Sequence, residues 1–467
     1  MNLGHWTILE WLAVVEQELL LFAGMFFLIG ALDELAVDGL WAWLRLTGRN
    51  RSLNLVREDV RTRRLNGHAA VFIPAWKEES VIEHTITHAL RAWSHTEYVI
   101  YVGCYRNDMA TLEAAMRGAG NDRRVRIVVH DCDGPSTKAD CLNRLYAAME
   151  MDEQRSGQDV RMVLLHDAED MVDPAEMGLM DKAIERFEFV QIPVLPLPQK
   201  ESRWIGSHYC EEFAEAHGKT MVVRDAMGAC LPAAGVGCAL DRGMLRDMAH
   251  LQDANAPFSV ESLTEDYELG MRIEAAGGRS RFLRVRGDDG ELVATRAFFP
   301  SRIDSCVRQK SRWVHGIALQ GWDRLGWEGG LTERWMRLRD RRGPMAAVVL
   351  ACGYAFFILA GLFFVLGELG VERPWQTDPL LSMLIVANLA SFVWRALVRF
   401  AFTAREYGPV EGLRAILRIP VTNVIAIMAG RRAIVAYART LRGGEVLWEK
   451  THHELHPAAT LREVPTT

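Results

Sequence analysis

A run of 23 residues without a single charge, "MAAVVLACGYAFFILAGLFFVLG" (345–367), limits the folds open to this chain more than any other feature. As a helix rising about 1.5 Å per residue it reaches about 34 Å, enough to cross about 30 Å of hydrocarbon. Two further stretches have the same character. "LLLFAGMFFLIGAL" (19–32) follows "WLAVVEQE", and together they predict a span over about 12–32. "LLSMLIVANLASFVWRALVRFAF" (380–402) carries Arg395 and Arg399 toward its end. A fourth segment, "GLRAILRIPVTNVIAIMAG" (412–430), holds two Arg and a central Pro420. It reads as interfacial or re-entrant rather than spanning. The first 18 residues contain no Lys or Arg, so the N-terminal segment reads as an anchor rather than a signal peptide.

Arginine placement orients these segments. Arg45, Arg49 and Arg51 follow the first; Arg337, Arg339, Arg341 and Arg342 precede the second; Arg399 and Arg405 close the third. The loop between the second and third has only Arg373. The positive-inside rule then puts the middle region and the C-terminal tail in the cytoplasm and the N-terminus outside. A fourth full span would carry Arg431, Arg432, Arg439 and Arg442 outward, so three are expected. The resulting plan is an anchor over 1–50, a cytosolic domain over 51–343, a membrane region over 344–442 and a cytosolic tail over 443–467.

Composition narrows the function classes. A net charge of -6 argues against a general nucleic-acid binder, which needs a basic footprint. Eight irregularly spaced cysteines without a CxxC fit reduced thiols better than a disulfide framework. "HDCD" offers His130 and Cys132, but no second pair follows at zinc-finger spacing.

The middle region alternates strand and helix signals. Apolar β-rich runs occur at 68–76, 97–105, 125–131 and 161–167, with helical patterns at 78–93 and 138–151. Continuous apolar strands separated by helices imply a parallel α/β sheet covered on both faces. Ligands of such sheets bind beyond the carboxyl ends of the strands, where Asp131 and Asp167 fall. Further on, 189–198 reads as a strand ending in a Pro-rich turn, "GVGCALDRG" (235–243) is Gly-rich, 263–278 reads as a helix N-capped by Thr264, and 305–322 reads as a helix.

One fragment, "MVLLHDAEDMVDP" (162–174), ends a buried-looking run in Asp167, Glu169, Asp170 and Asp173 with no Lys or Arg among them. Counter-charge must come from elsewhere in the chain, or the carboxylates are solvated. Asp167 and Glu169 could hold Mg²⁺ or Mn²⁺ bridging a diphosphate; a solvated strand-to-loop turn is the bland alternative. Glu265 and Asp266 follow Thr264 at a helix start, where the dipole favours negative charge. They serve either capping or general-base chemistry on an acceptor hydroxyl. Gln309, Arg312 and Trp313 share about one turn: Arg can fork onto a diphosphate, and Trp offers a platform to a sugar or simply fills a core. Lys138, beside a helix start, suits a diphosphate or is a surface lysine.

The fragments "IPAWKEE", "STKADCLN", "HDAED", "TED" and "QKSRW" stand in the order seen in membrane-bound family 2 glycosyltransferases, and the chain resembles that family over most of 68–322. "HDAEDMVDP", "QIPVLPLP", "GVGCALDR", "TEDYELGMRI", "RQKSRWVHGIALQGW" and "WEKTHHELHP" make the resemblance closer to the bacteriophage adsorption protein B family of bacterial inner-membrane enzymes. The resemblance implies a GT-A-like, Rossmann-like cytosolic domain with flanking transmembrane helices. It implies Pro74, Ala75, Glu78, Lys138, Asp167 and Arg312 at the donor, Asp167 and Glu169 on Mg²⁺ or Mn²⁺, Asp266 as base beside Glu265, and Gln309 and Trp313 at the acceptor. Glu169 replaces an Asp common in relatives, which leaves Glu169 and Asp170 as alternatives for the second ligand. The implied donor is a nucleotide-sugar, a UDP-N-acetylhexosamine. The implied partners are a growing glycan or lipid acceptor, membrane lipids and an outer-membrane or periplasmic export partner, with no nucleic acid. A lipid-linked single-sugar transferase and a catalytically idle membrane scaffold are the alternatives. Members can also carry a C-terminal cyclic-dinucleotide-binding domain; if such control exists here, it is expected to come from another chain.

Overall fold

The computed structural model describes residues 7–49, 53–251, 256–371, 379–443 and 456–460. Helix α1 (Ile8–Leu46) is 39 residues long, and Thr7 caps it by accepting the Glu10 N–H at 3.3 Å. Its second half leaves the apolar segment and runs along the globular domain, where Trp41 Nε1 donates to the Gly218 carbonyl at 3.0 Å.

Seven strands form the central sheet: β1 (His68–Pro74), β2 (Tyr98–Tyr105), β3 (Val125–His130), β4 (Val160–Leu165), β5 (Phe189–Gln191), β6 (Cys238–Asp241) and β7 (Ser280–Phe282), in the order β3-β2-β1-β4-β6-β5-β7. The first four are parallel, as the apolar runs predict. The wholly parallel expectation fails at β6, which runs antiparallel to both β4 and β5. The predicted strand at 189–198 also divides. Phe189–Gln191 joins the main sheet, whereas Val194–Pro196 pairs with Thr295–Ala297, because Pro193 interrupts the donor row.

Both sheet faces are buried, for a reason visible in β1. Val71 and Ile73 pack on one side with Ile82 and Ile86 of helix α2 (Ile82–Ala92). Ala70 and Phe72 pack on the other with Leu142 and Leu145 of helix α3 (Lys138–Ser156). Helix α4 (Glu265–Ala275) begins after Thr264, but the Thr264 side chain makes no capping bond, which corrects the expected N-cap. Helix α5 (Ile303–Trp313) continues into a π-helical turn over Val314–Gln320, so the predicted single helix changes its hydrogen-bond register just after Trp313.

Among the described residues, four helices are long and apolar enough to cross a membrane: α1, α6 (Gly343–Glu368), α7 (Pro379–Tyr407) and, after the short α8 (Pro409–Leu417), α9 (Ile419–Thr440). Charged groups of the first three meet at one level beside the globular domain. Asp33 and Glu34 of α1 pair with Arg339 and Arg342 just ahead of α6, Arg395 of α7 reaches Glu34, and Trp394 Nε1 donates to Asp38 at 2.8 Å. The expected segment 412–430 is two helices broken at Arg418, ahead of Pro420. Helix α9 has the length and composition of a span, yet both its ends touch the globular domain. Val421 and Ile425 pack with Tyr209 and Cys306, and the Tyr437 hydroxyl donates to Asp323 at 2.6 Å.

Candidate active site

The carboxyl ends of β1 and β4 open into a cleft enclosing about 1210 Å³, part of it continuous with solvent. Pro74, Ala75, Glu78, Lys138, Asp167, Glu169, Glu265, Asp266, Gln309, Arg312 and Trp313 all line it. Five separated stretches of chain therefore converge on one space.

At the β1 end the chain turns sharply: the Ala75 N–H donates to the Gly103 carbonyl at 2.8 Å, and Lys77 adopts a left-handed φ of 55°. The helix beginning at Met109 holds this strained turn, because the Glu78 N–H donates to Thr111 Oγ1 at 2.8 Å. Trp76 packs edge-on against Tyr105 with ring centroids 5.1 Å apart.

Asp167 and Asp173 each meet cations from distant parts of the chain, and Asp170 faces one within the fragment itself. Lys138, the first residue of α3, puts Nζ 2.6 Å from Asp167 Oδ1. Asp173 faces Arg57 at 2.5 Å and Arg296 at 3.4 Å. The buried His166 sits 3.0 Å from Asp170 Oδ2 and 2.9 Å from Glu176 Oε1, the latter an ion-pair distance without hydrogen-bond alignment. Burial opposes the His166 charge, but Glu176 and Asp170 outweigh it and raise its pKa to about 10, so the imidazole is a cation.

Asp170 is buried, and its Oδ2 accepts the Asp167 N–H as well as facing His166. Asp167 keeps a third of its side-chain surface exposed at the cleft, and Glu169 lines the same wall half-buried. Asp167 and Glu169 offer the carboxylate oxygens that Mg²⁺ or Mn²⁺ prefers, and a cation there would have to displace the Lys138 ammonium from Asp167 Oδ1.

Across the cleft, burial raises the Glu265 pKa to about 7, with Asp266 adding to the rise and Lys138 opposing it. Burial likewise raises that of Asp266, offset chiefly by Lys138. One ammonium thus serves three carboxylates from two elements, and their combined field keeps Lys138 charged against the cost of burial. Asp266 Oδ1 accepts its neighbour's Tyr267 N–H at 2.7 Å, and its other oxygen lies over Gly235. A Cβ at Gly235 would come within 2.3 Å of that oxygen, and Gly235 has φ +75°. On α5, Gln309 accepts the Tyr209 hydroxyl at 2.7 Å, and Trp313 packs edge-on against Tyr209 and Phe213.

Residues 67–316 match the family model described as Glycosyltransferase like family 2. The chain belongs to this family. It is 30% identical over 462 residues to bacteriophage adsorption protein B of Escherichia coli K12, and equally to the bacteriophage N4 adsorption protein B of Escherichia coli O157:H7. The match covers 92% of this chain and 61% of either relative, so the chain spans about three fifths of the length of the curated relatives it matches. The fold is also that of a mannosyltransferase from Pyrobaculum calidifontis, solved with GDP-Man and Mn²⁺, with a TM-score of 0.51, 14% identity, and coverage of 88% of this chain and 99% of that one.

In this family 2 glycosyltransferase several site features escaped sequence reading. The cationic His166 that braces the acidic loop is one, since only the fold brings Glu176 to it. Gly235 is another; "GVGCALDRG" was visible as Gly-rich, but not as the surface against which Asp266 rests. The third is His456, buried against α2, whose Nε2 lies 3.2 Å from the Asp170 carbonyl and whose ring stacks on His84 with centroids 6.1 Å apart. The fragment "WEKTHHELHP" carried the signal, and its last two residues pack behind the acidic loop.

Proposed function

We propose that this glycosyltransferase transfers sugar with inversion from a cytosolic nucleotide-sugar, a UDP-N-acetylhexosamine, to a growing cell-surface or exported glycan at the bacterial inner membrane. The observation that carries this is the single cleft in which Asp167 and Asp266, nearly a hundred residues apart, share the Lys138 ammonium. The Asp266 carboxylate takes the proton of the acceptor hydroxyl as that oxygen attacks the anomeric carbon from the face opposite the diphosphate. The bond to the diphosphate breaks, and Arg312 and Lys138 supply fixed positive charge on the donor side. Mg²⁺ or Mn²⁺ held by Asp167 and Glu169 would neutralise the departing diphosphate. Trp313, braced by Tyr209 and Phe213, offers the acceptor sugar a flat apolar face.

The domain faces the cytoplasm in this reading, with α1, α6 and α7 spanning and α9 lying along the membrane surface. The level at which Asp33, Glu34, Arg339, Arg342 and Arg395 gather supports that boundary. So does the return of His456 to the globular domain, which puts the tail on the domain's side. The test incubates purified membranes with radiolabelled UDP-GlcNAc, UDP-Glc and GDP-Man, each with Mg²⁺ or Mn²⁺, and sizes the product. Incorporation from UDP-GlcNAc into a long product is expected. Incorporation only from another donor rejects the donor assignment, and incorporation from none rejects the enzyme reading.

A further inference from the structure

The fold completes what the fragment "HDCD" leaves unfinished. His130 ends β3, Cys132 follows in the next turn, and Asp140 projects from the first turn of α3. One ligand atom from each lies within 4.8 Å of the others. We infer that His130, Cys132 and Asp140 form a binding site for a thiophilic divalent transition ion of the zinc class, separate from the acidic diphosphate site, that ties the end of β3 to the start of α3 at the rim of the donor cleft.

Three observations carry this. His130 is buried, and neither ring nitrogen has a hydrogen-bond partner among the described residues. A buried imidazole left in that state is costly, and a metal ligand is the role that relieves it. The ring is held in place from one side, stacked on Tyr105 with centroids 4.4 Å apart.

The donor set is the second argument. Nitrogen, sulfur and oxygen at about 2.0–2.3 Å from the metal put tetrahedral ligands about 3.5 Å apart. The three ligand atoms, within 4.8 Å of one another, must close by up to about 1.3 Å to reach that spacing, and Cys132 is only half-buried. A thiolate and a carboxylate together match a 2+ ion, and a water would complete the fourth position. The third argument concerns competitors. Arg144 is bonded to Asp131 and makes only a long ion pair, Nε to Asp140 Oδ2 at 3.5 Å without hydrogen-bond alignment, which an incoming metal ion would displace. Asp140 spends its backbone N–H, not its carboxylate, on the Thr137 cap at 3.1 Å.

The position gives the site a consequence. The turn it would clasp, Asp131 to Thr137, leads directly into Lys138, which pairs with Asp167. A bound ion would restrain the backbone that delivers the Lys138 ammonium to the donor cleft.

Cobalt reports a thiolate ligand directly. The full chain, purified in detergent and stripped of metal, is titrated with CoCl₂ alone. A thiolate-to-cobalt charge-transfer band saturating at one equivalent and lost on adding ZnCl₂ is expected. The band should persist in an Asp167→Ala/Glu169→Ala double variant and vanish in Cys132→Ser, whose circular dichroism and melting temperature report its folding. Asp140→Asn should weaken Zn²⁺ binding by roughly tenfold or more. As a measurement independent of any variant, Zn²⁺ should slow maleimide labelling of Cys132 in the unmodified chain, read by mass spectrometry. Absence of the band, its survival in Cys132→Ser, or unchanged Cys132 labelling with Zn²⁺ overturns the site.

Discussion

Gly235→Ala tests the placement of the base without touching it. The substitution has two separable consequences. Its backbone is left-handed at φ +75°, a region that costs an L-residue about 1–2 kcal/mol. For a domain of about 290 residues that lowers the melting temperature by roughly 2–3 °C. The new methyl group would also stand 2.3 Å from Asp266 Oδ2, more than an ångström inside ordinary contact, so the carboxylate must move by about that much. A displacement of about 1 Å at a reacting group can cost about 10²-fold in rate. Gly277→Ala is the matched control. It has a φ of +87°, but nothing lies within 4 Å of its added Cβ, so it carries the backbone cost alone. The assay measures transfer rate and donor KM in detergent alongside thermal unfolding of both variants. Similar losses in melting temperature are expected, with kcat down about 10²-fold in Gly235→Ala only and donor KM nearly unchanged. If both variants transfer equally well, Asp266 does not occupy the reacting position and the argument for its role fails.

Asp266→Asn should lower transfer by about 10²–10⁴-fold while leaving folding and donor affinity intact, whereas Asp167→Ala and EDTA should each weaken donor binding itself; equilibrium binding of the donor separates the two, and full activity in EDTA rejects the metal assignment. Glu265, raised by burial to about 7 from an unfolded value near 4.5, keeps its proton in the folded state over a range where the unfolded chain has lost it. Its contribution to stability is therefore present below about pH 4.5 and falls as pH rises toward 7. Glu265→Gln removes that loss, so its melting temperature relative to wild type should rise between pH 5 and pH 7.5; a flat or falling difference contradicts the burial argument. Cys210 and Cys306 are fully buried and cannot report the orientation by labelling. The half-buried Cys132 can, and an impermeant maleimide outside intact spheroplasts should label it only after lysis; earlier labelling would invert the orientation.

Local pattern was enough to determine a good deal of this protein. The apolar segments, the four parallel strands and the helix starts at Lys138 and Glu265 are written in runs of ten to thirty residues, because hydrocarbon thickness, sheet burial and helical periodicity each act over such lengths. The candidate site residues were legible for a related reason: a strand end or helix start that carries charge marks the ligand edge of an α/β sheet whatever packs around it. What answers those charges was not legible. Lys138 meets Asp167, Arg57 meets Asp173 and Glu176 meets His166 only after the chain has folded, since ion pairing depends on distance in space and sequence separation says little about it. The reversal at β6 is a choice of the same kind, because an apolar strand of four residues can pair in either direction and its neighbours decide. The run of α9 along the domain is another. Its composition permits a membrane span, and only the folded chain brings Ile425 and Tyr437 against the globular domain.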